Sequence, residues 1–129
     1  MEPNVVFGNA HVAGANRRGW FLGHFVDPSS DRLRSTSDLE VKWGMHTAGA
    51  SRTEWSTNES ATTLAILISG RFCLRFPDQE VLLAREGDYA IWTPGTPHSW
   101  TAEEASTVLT VRWPSLPEDT IEEKEEEIC

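Results

Sequence analysis

The sequence predicts a small all-β protein with a single domain, built as a closed barrel or a double-sheet sandwich. Short segments of apolar or alternating residues recur at intervals of about ten residues, which is typical of these folds. Glycine, proline and polar clusters separate the segments, and no stretch before the acidic C-terminal tail has a helical pattern. A chain of 129 residues suits one domain around one hydrophobic core.

The predicted strands, seven to nine in number, follow from local composition. Leu39, Val41 and Trp43 alternate with polar residues, which indicates a half-buried strand that places Trp43 in the core. Trp113 alternates in the same way with Leu109 and Val111 as its apolar neighbours, which places it in the core as well. Residues 46–60 are rich in glycine, serine and threonine and predict a loop or an irregular edge. The clearest strand segments are 19–26, 38–44, 61–69, 71–76, 81–84, 89–92, 99–102 and 107–113.

Negative charge is concentrated near the C-terminus. The formal net charge is −9, and residues 118–127 carry seven acidic residues and one lysine. Such an acidic chain is poorly suited to bind nucleic acid, because cations must neutralise the phosphates. We therefore predict a barrel domain over residues 1–114, a solvated acidic tail over residues 115–129, and no nucleic-acid partner.

The sequence has the features of a cytoplasmic protein. No apolar run approaches the ~20 residues of a membrane span. The first ten residues show neither the basic nor the apolar region of a secretory signal. Two cysteines, Cys73 and Cys129, are too few for a disulfide framework. We therefore expect a cytoplasmic location and no membrane partner.

The segment TPGTPHSW, residues 93–100, presents a single histidine in a kinked backbone. Two prolines and a glycine precede His98, and Trp92 and Trp100 flank it. A free imidazole titrates near pH ~6.5 and can both accept and return a proton at neutral pH. The pattern indicates a site in which His98 acts as an acid–base group between aromatic walls.

The same segment resembles a sequence motif of the cupins, a family of small jelly-roll proteins. Gly95 and His98 match the second cupin motif, while Thr93 stands in place of its first proline. The first motif is matched at its end, where an apolar strand closes at Gly70. The resemblance covers residues 37–113. It implies a small single-domain cupin jelly roll, a double-stranded β-helix barrel, followed by the acidic tail.

The resemblance also bears on metal binding. A metal-binding cupin holds its ion with three histidines and a carboxylate, and only His98 occupies one of these positions here. One imidazole cannot hold a divalent metal, which needs three or four ligands. Either no cofactor is required, or His46 and Glu59 join His98 around a single divalent metal such as zinc. The remaining ligand positions of the family fall at or near Ser56, Asn58 and Thr63.

Within the cupins the chain resembles small stand-alone bacterial members, among them an epimerase of maremycin-type antibiotic biosynthesis. That resemblance implies an isomerase or epimerase that removes and returns a proton next to a carbonyl, inverting the β-methyl centre of β-methylindolepyruvate. The alternatives are a small-molecule-binding or sensing cupin without catalysis and a metal-dependent oxygenase. A homodimer is also implied, since pairing would cover sheet edges.

Candidate site residues follow from the chemistry of an aromatic 2-oxo acid. His98 and His46 are the candidate catalytic residues. An indole ring needs aromatic walls, and the candidates for these are Trp92, Trp100 and Trp55. A carboxylate favours the paired N–H groups of arginine. The candidates for that contact are Arg52, Arg71, Arg75 and Arg112.

Overall fold

Two antiparallel sheets of five strands each face one another and form a jelly roll. The computed structural model describes residues 4–123, with side chains as far as Ile121. The strands are β1 (Trp20–Leu22), β2 (Glu40–His46), β3 (Ser51–Asn58), β4 (Thr62–Ser69), β5 (Phe72–Phe76), β6 (Gln79–Leu83), β7 (Tyr89–Trp92), β8 (His98–Ala102), β9 (Ser106–Trp113) and β10 (Thr120–Glu123). Their order is β1-β2-β9-β4-β7 in the first sheet and β10-β3-β8-β5-β6 in the second. The all-β prediction is confirmed.

Within residues 4–123, helical structure is confined to a short segment before β1. It consists of α1 (Ala10–Ala13) and a single 3-10 turn (Ala15–Arg17). No helix in the part of the chain that the structure describes is long and apolar enough to cross a bilayer.

The hydrophobic core fills the space between the two sheets. Alternation along each strand turns every second side chain into this space, and the apolar ones pack against one another. The buried core residues are Ala65, Leu67, Phe72, Leu74, Leu83, Trp92, Ala102 and Val108. Several of them also line a cavity between the sheets, so the core forms the floor of that cavity.

The structure corrects the loop predicted over residues 46–60. Most of this range forms β3, which pairs with β8 on one side and β10 on the other. Backbone hydrogen bonds from two neighbouring strands keep the segment extended, although its serine and threonine content is typical of a loop. The register shifts between Arg52 and Ser56. The resulting bulge places Arg52 opposite Trp100 and Ser56 opposite His98.

The core positions predicted for Trp43 and Trp113 are wrong. The alternation along β2 and β9 is present, but the polar residues face inward. Glu40 is 8% exposed and Lys42 lines the space between the sheets, whereas Trp113 is 37% exposed. Trp43 is half-buried. Alternation of polar and apolar residues shows that the two faces of a strand differ, but it does not show which face lies inside the fold.

The outer face of the first sheet is correspondingly apolar. Its exposed residues include Met45, Tyr89, Ile91 and Trp113. Covering this face with a second copy would remove apolar surface from water. The homodimer expected from the sequence stays a prediction.

The chain beyond residue 114 returns to the second sheet. Residues 120–123 form β10 at the edge next to β3. Just before this strand, the carboxylate of Asp119 accepts hydrogen bonds from the backbone N–H groups of Ser60 at 2.8 Å and Ala61 at 3.1 Å. The boundary predicted after residue 114 therefore falls inside the sheet-forming part of the chain. Residues 124–129 of the predicted tail lie outside the described residues.

Replacing Asp119 with alanine is expected to destabilise the fold by about 2 kcal/mol, because two backbone N–H groups would lose their acceptor. The residue is buried, so water could not fully replace the lost bonds. Denaturant unfolding measures the change. The control is Asp78→Ala, which alters an exposed residue in the turn between β5 and β6. Equal destabilisation of the two variants would contradict the role of Asp119.

Candidate functional site

A set of adjoining cavities leads into the space between the sheets. Two outer cavities have volumes of about 690 and about 460 Å³, and an inner cavity has a volume of about 50 Å³. Lys42 on β2 and Arg52 on β3 line all three. We call these three cavities together the barrel opening.

The inner cavity is cationic although the whole chain is acidic, since Lys42, Arg52 and Arg112 line it and no carboxylate of the described residues does. Arg18 lines both outer cavities. Arg112 pairs with Glu40 at 3.4 Å, but among the described residues no carboxylate pairs with Lys42 or Arg52. Burial and three neighbouring guanidinium groups lower the pKa of Lys42 from 10.5 to about 8. Such an arrangement attracts an anion.

His98 begins β8 and lines the inner cavity. The preceding turn is anchored by Gly95, which has a φ of +82° and donates its N–H to the carbonyl of Asn58 at 2.8 Å. Nδ1 of His98 lies 3.2 Å from the carbonyl oxygen of Thr96 and donates to it, because a carbonyl can only accept. Nε2 therefore carries the lone pair. Burial lowers the pKa of His98 to about 4, so the imidazole is neutral at pH 7.

Aromatic rings wall the barrel opening. The rings of Trp92 and His98 are 4.9 Å apart, and Trp100 lines both the inner cavity and the larger outer cavity. His46, at the end of β2, contacts Trp100 with ring centroids 4.4 Å apart. Burial lowers the pKa of His46 to about 4. Because His46 lines the larger outer cavity, the two candidate catalytic histidines occupy different parts of the opening.

Three residues that line the inner cavity each have a buried polar atom without a hydrogen-bond partner. These atoms are Oγ1 of Thr63, Nε1 of Trp92 and Nε of Arg112. An unpaired buried donor is unfavourable, so folded proteins normally supply a partner from protein, water or ligand. Two of the three atoms are N–H donors, which only an acceptor can satisfy. A carboxylate group, or ordered water in its place, meets this requirement.

Four residues expected in the site lie outside the barrel opening. Arg71 forms a surface ion pair with Glu103 at 2.8 Å. Alternation along β5 turns Arg75 outward, where its guanidinium lies 5.8 Å from the ring of Trp55. Glu59 is exposed in the turn after β3. Of the arginine and tryptophan residues expected to contact a substrate, those that line the barrel opening are Arg52, Arg112, Trp92 and Trp100.

The residues present do not fit a divalent transition metal. Glu59 is exposed and lines none of the three cavities, so the expected set of His46, Glu59 and His98 is not assembled. No group of three His, Cys, Asp or Glu side chains suited to a metal occurs in the range 4–123. At the family's ligand positions, Ser56 lies opposite His98 and Thr63 lines the inner cavity. Neutral hydroxyls beside one imidazole make a poor site for zinc or iron.

Sequence reasoning missed Lys42, Arg18 and Trp20. The ring of Trp20 lies 5.8 Å from the amine of Lys42 and 4.5 Å from the guanidinium of Arg112. A signal was present, because Lys42 is one of only two lysines and interrupts an apolar strand. That pattern alone predicts a solvent-facing lysine, since lysine is almost never buried without a partner.

Comparison with known proteins supports the fold and no narrower assignment. No protein-family model and no curated protein matches this sequence. The resemblance to an epimerase of β-methylindolepyruvate therefore gains no support from them. Many solved structures are similar to this chain.

Three of these structures illustrate the similarity. KdgF from Halomonas sp. has a TM-score of 0.57 and 23% identity, over 63% of this chain and 74% of that one. A double-stranded β-helix protein from Klebsiella pneumoniae has a TM-score of 0.61 and 19% identity, over 70% and 78% of the two chains. A cupin superfamily protein from Desulfitobacterium hafniense has a TM-score of 0.55 and 15% identity, over 61% and 70%. The chain therefore has the double-stranded β-helix fold of the cupins.

Proposed function

We propose that the protein binds a small organic anion in the barrel opening and transfers a proton next to its carbonyl group, as an isomerase or epimerase does. The observation that carries the proposal is the pair of cations Lys42 and Arg52, which have no carboxylate partner among the described residues, beside the buried neutral imidazole of His98. A 2-oxo acid offers a carboxylate to the cations and a carbonyl that acidifies the adjacent C–H bond. The unpaired donors of Trp92 and Arg112 add to the affinity for an acceptor.

The sizes of the cavities favour an aromatic 2-oxo acid. The inner cavity of about 50 Å³ has room for a carboxylate group but not for an indole ring. The larger outer cavity of about 690 Å³ has that room, and Trp100 and His46 offer ring faces there. β-Methylindolepyruvate, whose β-methyl centre an epimerase would invert, is our specific substrate proposal.

The proposed proton transfer uses His98 as the base. Arg52 and Arg112 hold the carboxylate through charge-assisted hydrogen bonds. Nε2 of His98 takes the β-hydrogen, and the positive charge of Lys42 stabilises the developing negative charge on the carbonyl oxygen. A bound carboxylate raises the pKa of His98 and makes it a stronger base. A proton from water then reaches the other face of the substrate by way of His46, in a different part of the opening, and His98 releases its proton to solvent.

Proton NMR of β-methylindolepyruvate in deuterated buffer, with and without a chelator, tests the proposal. The expected result is loss of the β-proton signal in both samples, because the exchange needs only the side chains of the opening. Loss only in the sample without chelator would assign the activity to a metal and overturn the metal-free transfer. Persistence of the signal in both samples would reject proton transfer on this substrate.

The His98→Ala variant is expected to keep the fold and to exchange the β-proton about 10²- to 10⁴-fold more slowly, which is the usual contribution of a positioned base. The same NMR experiment measures the rate, and circular dichroism checks the fold. The control is Gln79→Ala, which alters an exposed residue of β6 outside the barrel opening. An unchanged rate in a folded His98→Ala variant would show that another group is the base.

A binding or sensing cupin without catalysis is the second candidate. The same cations favour it, since Lys42 and Arg52 can hold an anion without any subsequent chemistry. It predicts a thermal midpoint that rises with the concentration of phenylpyruvate, together with no exchange of β-protons. Exchange at a measurable rate would exclude it as the sole function.

A further inference from the structure

The position of Lys42 differs from that of an ordinary surface lysine. Its side chain is half-buried and lines all three cavities of the barrel opening. It is the only lysine among residues 1–123, and the other lysine of the chain is Lys124. A buried cation with a purely structural role normally has a carboxylate partner. Lys42 has none in the described part of the chain.

The cations around Lys42 favour its neutral form. Burial is the largest cause of the lowered pKa of Lys42, and nearby positive charges lower this pKa further. Together they bring the pKa of Lys42 to about 8, so roughly a tenth of the amine is unprotonated at pH 7. The like charges belong to Arg18, Arg52 and Arg112.

The carboxylates that line the barrel opening do not offset these charges at Lys42. Glu40 accepts a hydrogen bond from Ser115 at 2.7 Å and pairs with Arg112 at 3.4 Å. Asp119 accepts from two backbone N–H groups. The two carboxylates that remain, which form no ion pair with Lys42, are Glu54 and Glu118.

We propose that Lys42 is a nucleophile that forms an imine with the carbonyl carbon of the bound 2-oxo acid. This inference rests on the proposed function, because it needs a 2-oxo acid in the barrel opening. The neutral amine attacks the carbonyl carbon, the carbonyl oxygen takes up two protons and leaves as water, and a C=N bond to Lys42 replaces the C=O bond. The step is a condensation and needs no oxidant, reductant or further reactant.

The imine would take the place of the carbonyl oxygen that Lys42 stabilises in the direct proton transfer, and it would assist inversion at the β-carbon. Once protonated, it withdraws electrons from that carbon, so the loss of a proton to His98 leaves the electron pair in the C=C bond of an enamine. Protonation on the opposite face and addition of water to the C=N bond release the inverted product and restore the amine. The substrate carboxylate, held by Arg52 and Arg112, offsets the positive charge of the protonated imine.

Reductive trapping tests the proposal on the full chain. Phenylpyruvate and sodium cyanoborohydride are added, and the protein is digested and mapped by mass spectrometry. Because the chain has two lysines and one terminal amine, the adduct can be assigned to one position. We expect one reduced phenylpyruvate adduct on the peptide that contains Lys42. The adduct should be lost in Lys42→Arg and retained in the matched control Lys124→Arg.

The pH dependence separates a catalytic lysine from an ordinary one. Below its pKa the unprotonated fraction of an amine falls about tenfold per pH unit. The initial rate of trapping at Lys42 should therefore rise with pH and level off above about pH 8. Trapping that continues to rise through pH 10 would indicate an unperturbed amine and contradict the assignment.

Three results would reject Lys42 as the nucleophile, and they have distinct meanings. No adduct at Lys42 in a protein that still exchanges the β-protons of its substrate would overturn the nucleophile and leave the proposed function standing. No adduct, no exchange and no binding of phenylpyruvate would overturn both. An adduct in Lys42→Arg equal to that of the unmodified sequence would also reject Lys42.

Discussion

Replacing Arg52 with methionine is expected to weaken the binding of phenylpyruvate about 10- to 100-fold, because hydrogen bonds to a charged group contribute about 1.5–3 kcal/mol. Arg52 lines all three cavities and is free to pair with a carboxylate from a ligand. Methionine keeps an unbranched apolar side chain and removes the guanidinium. Isothermal titration calorimetry with phenylpyruvate measures the change in affinity.

The matched control for this variant is Arg71→Met. It makes the same chemical change at a surface ion pair with Glu103, outside the barrel opening. An exposed pair of this kind contributes little to stability and none of its atoms line the cavities. Binding should therefore be unchanged in Arg71→Met. Equal weakening in the two variants would mean that the general loss of positive charge, rather than the position of Arg52, governs affinity.

Lowering the pH from 6.5 to 4 is expected to destabilise the protein by about 3 kcal/mol through His98 alone. Burial lowers the pKa of His98 from 6.5 to about 4 in the folded protein. Below pH 6.5 the unfolded chain binds a proton that the folded protein does not, so acid favours unfolding. The stabilising contribution is complete above pH 6.5 and is lost as the pH falls toward 4. His46, with a pKa also lowered to about 4, acts in the same direction.

Denaturant unfolding at about pH 7 and about pH 4 measures this loss. The His98→Gln variant cannot titrate and is expected to lose less stability over the interval, whereas His11→Gln should behave as the unmodified sequence does. An equal loss in all three proteins would contradict the assignment. Three carboxyl groups, those of Asp27, Asp31 and Asp88, have a pKa lowered from 3.8. Their stabilising effect is present above pH 3.8 and is lost mainly below it, outside most of this interval.

Local patterns were sufficient for most of the strands, though not for β3 or β10, and for the turn that carries His98. Alternation along β4 and β5 reflects a real difference between their two faces, and the glycine and proline residues of TPGTPHSW do form a turn before a buried histidine. A positive φ at Gly95 is a local requirement that the residue type itself indicates. Such features depend on neighbours in sequence, so they can be predicted without the tertiary structure.

The composition of the barrel opening depends on tertiary structure and could not be predicted in the same way. Alternation in β2 is equally consistent with Lys42 outside and with Lys42 inside. Pairing of β3 with two other strands brings Arg52 to the same cavity, although its segment has the composition of a loop. Conversely, Arg75 and Glu59 have side chains that could bind a carboxylate or a metal, but both lie outside the barrel opening. Residue type identified the candidates, and only the sheet geometry could select among them.

The cations that line the inner cavity limit the stability that the functional protein can reach. Lys42 and Arg52 lose hydration on folding and gain no carboxylate partner within residues 4–121, so each lowers the free energy of unfolding of the unliganded protein. Selection for thermal resistance alone would replace them with apolar residues. Laboratory evolution toward higher thermal stability should therefore replace Lys42 and Arg52 first, unless a carboxylic acid that binds between them is present throughout the screen.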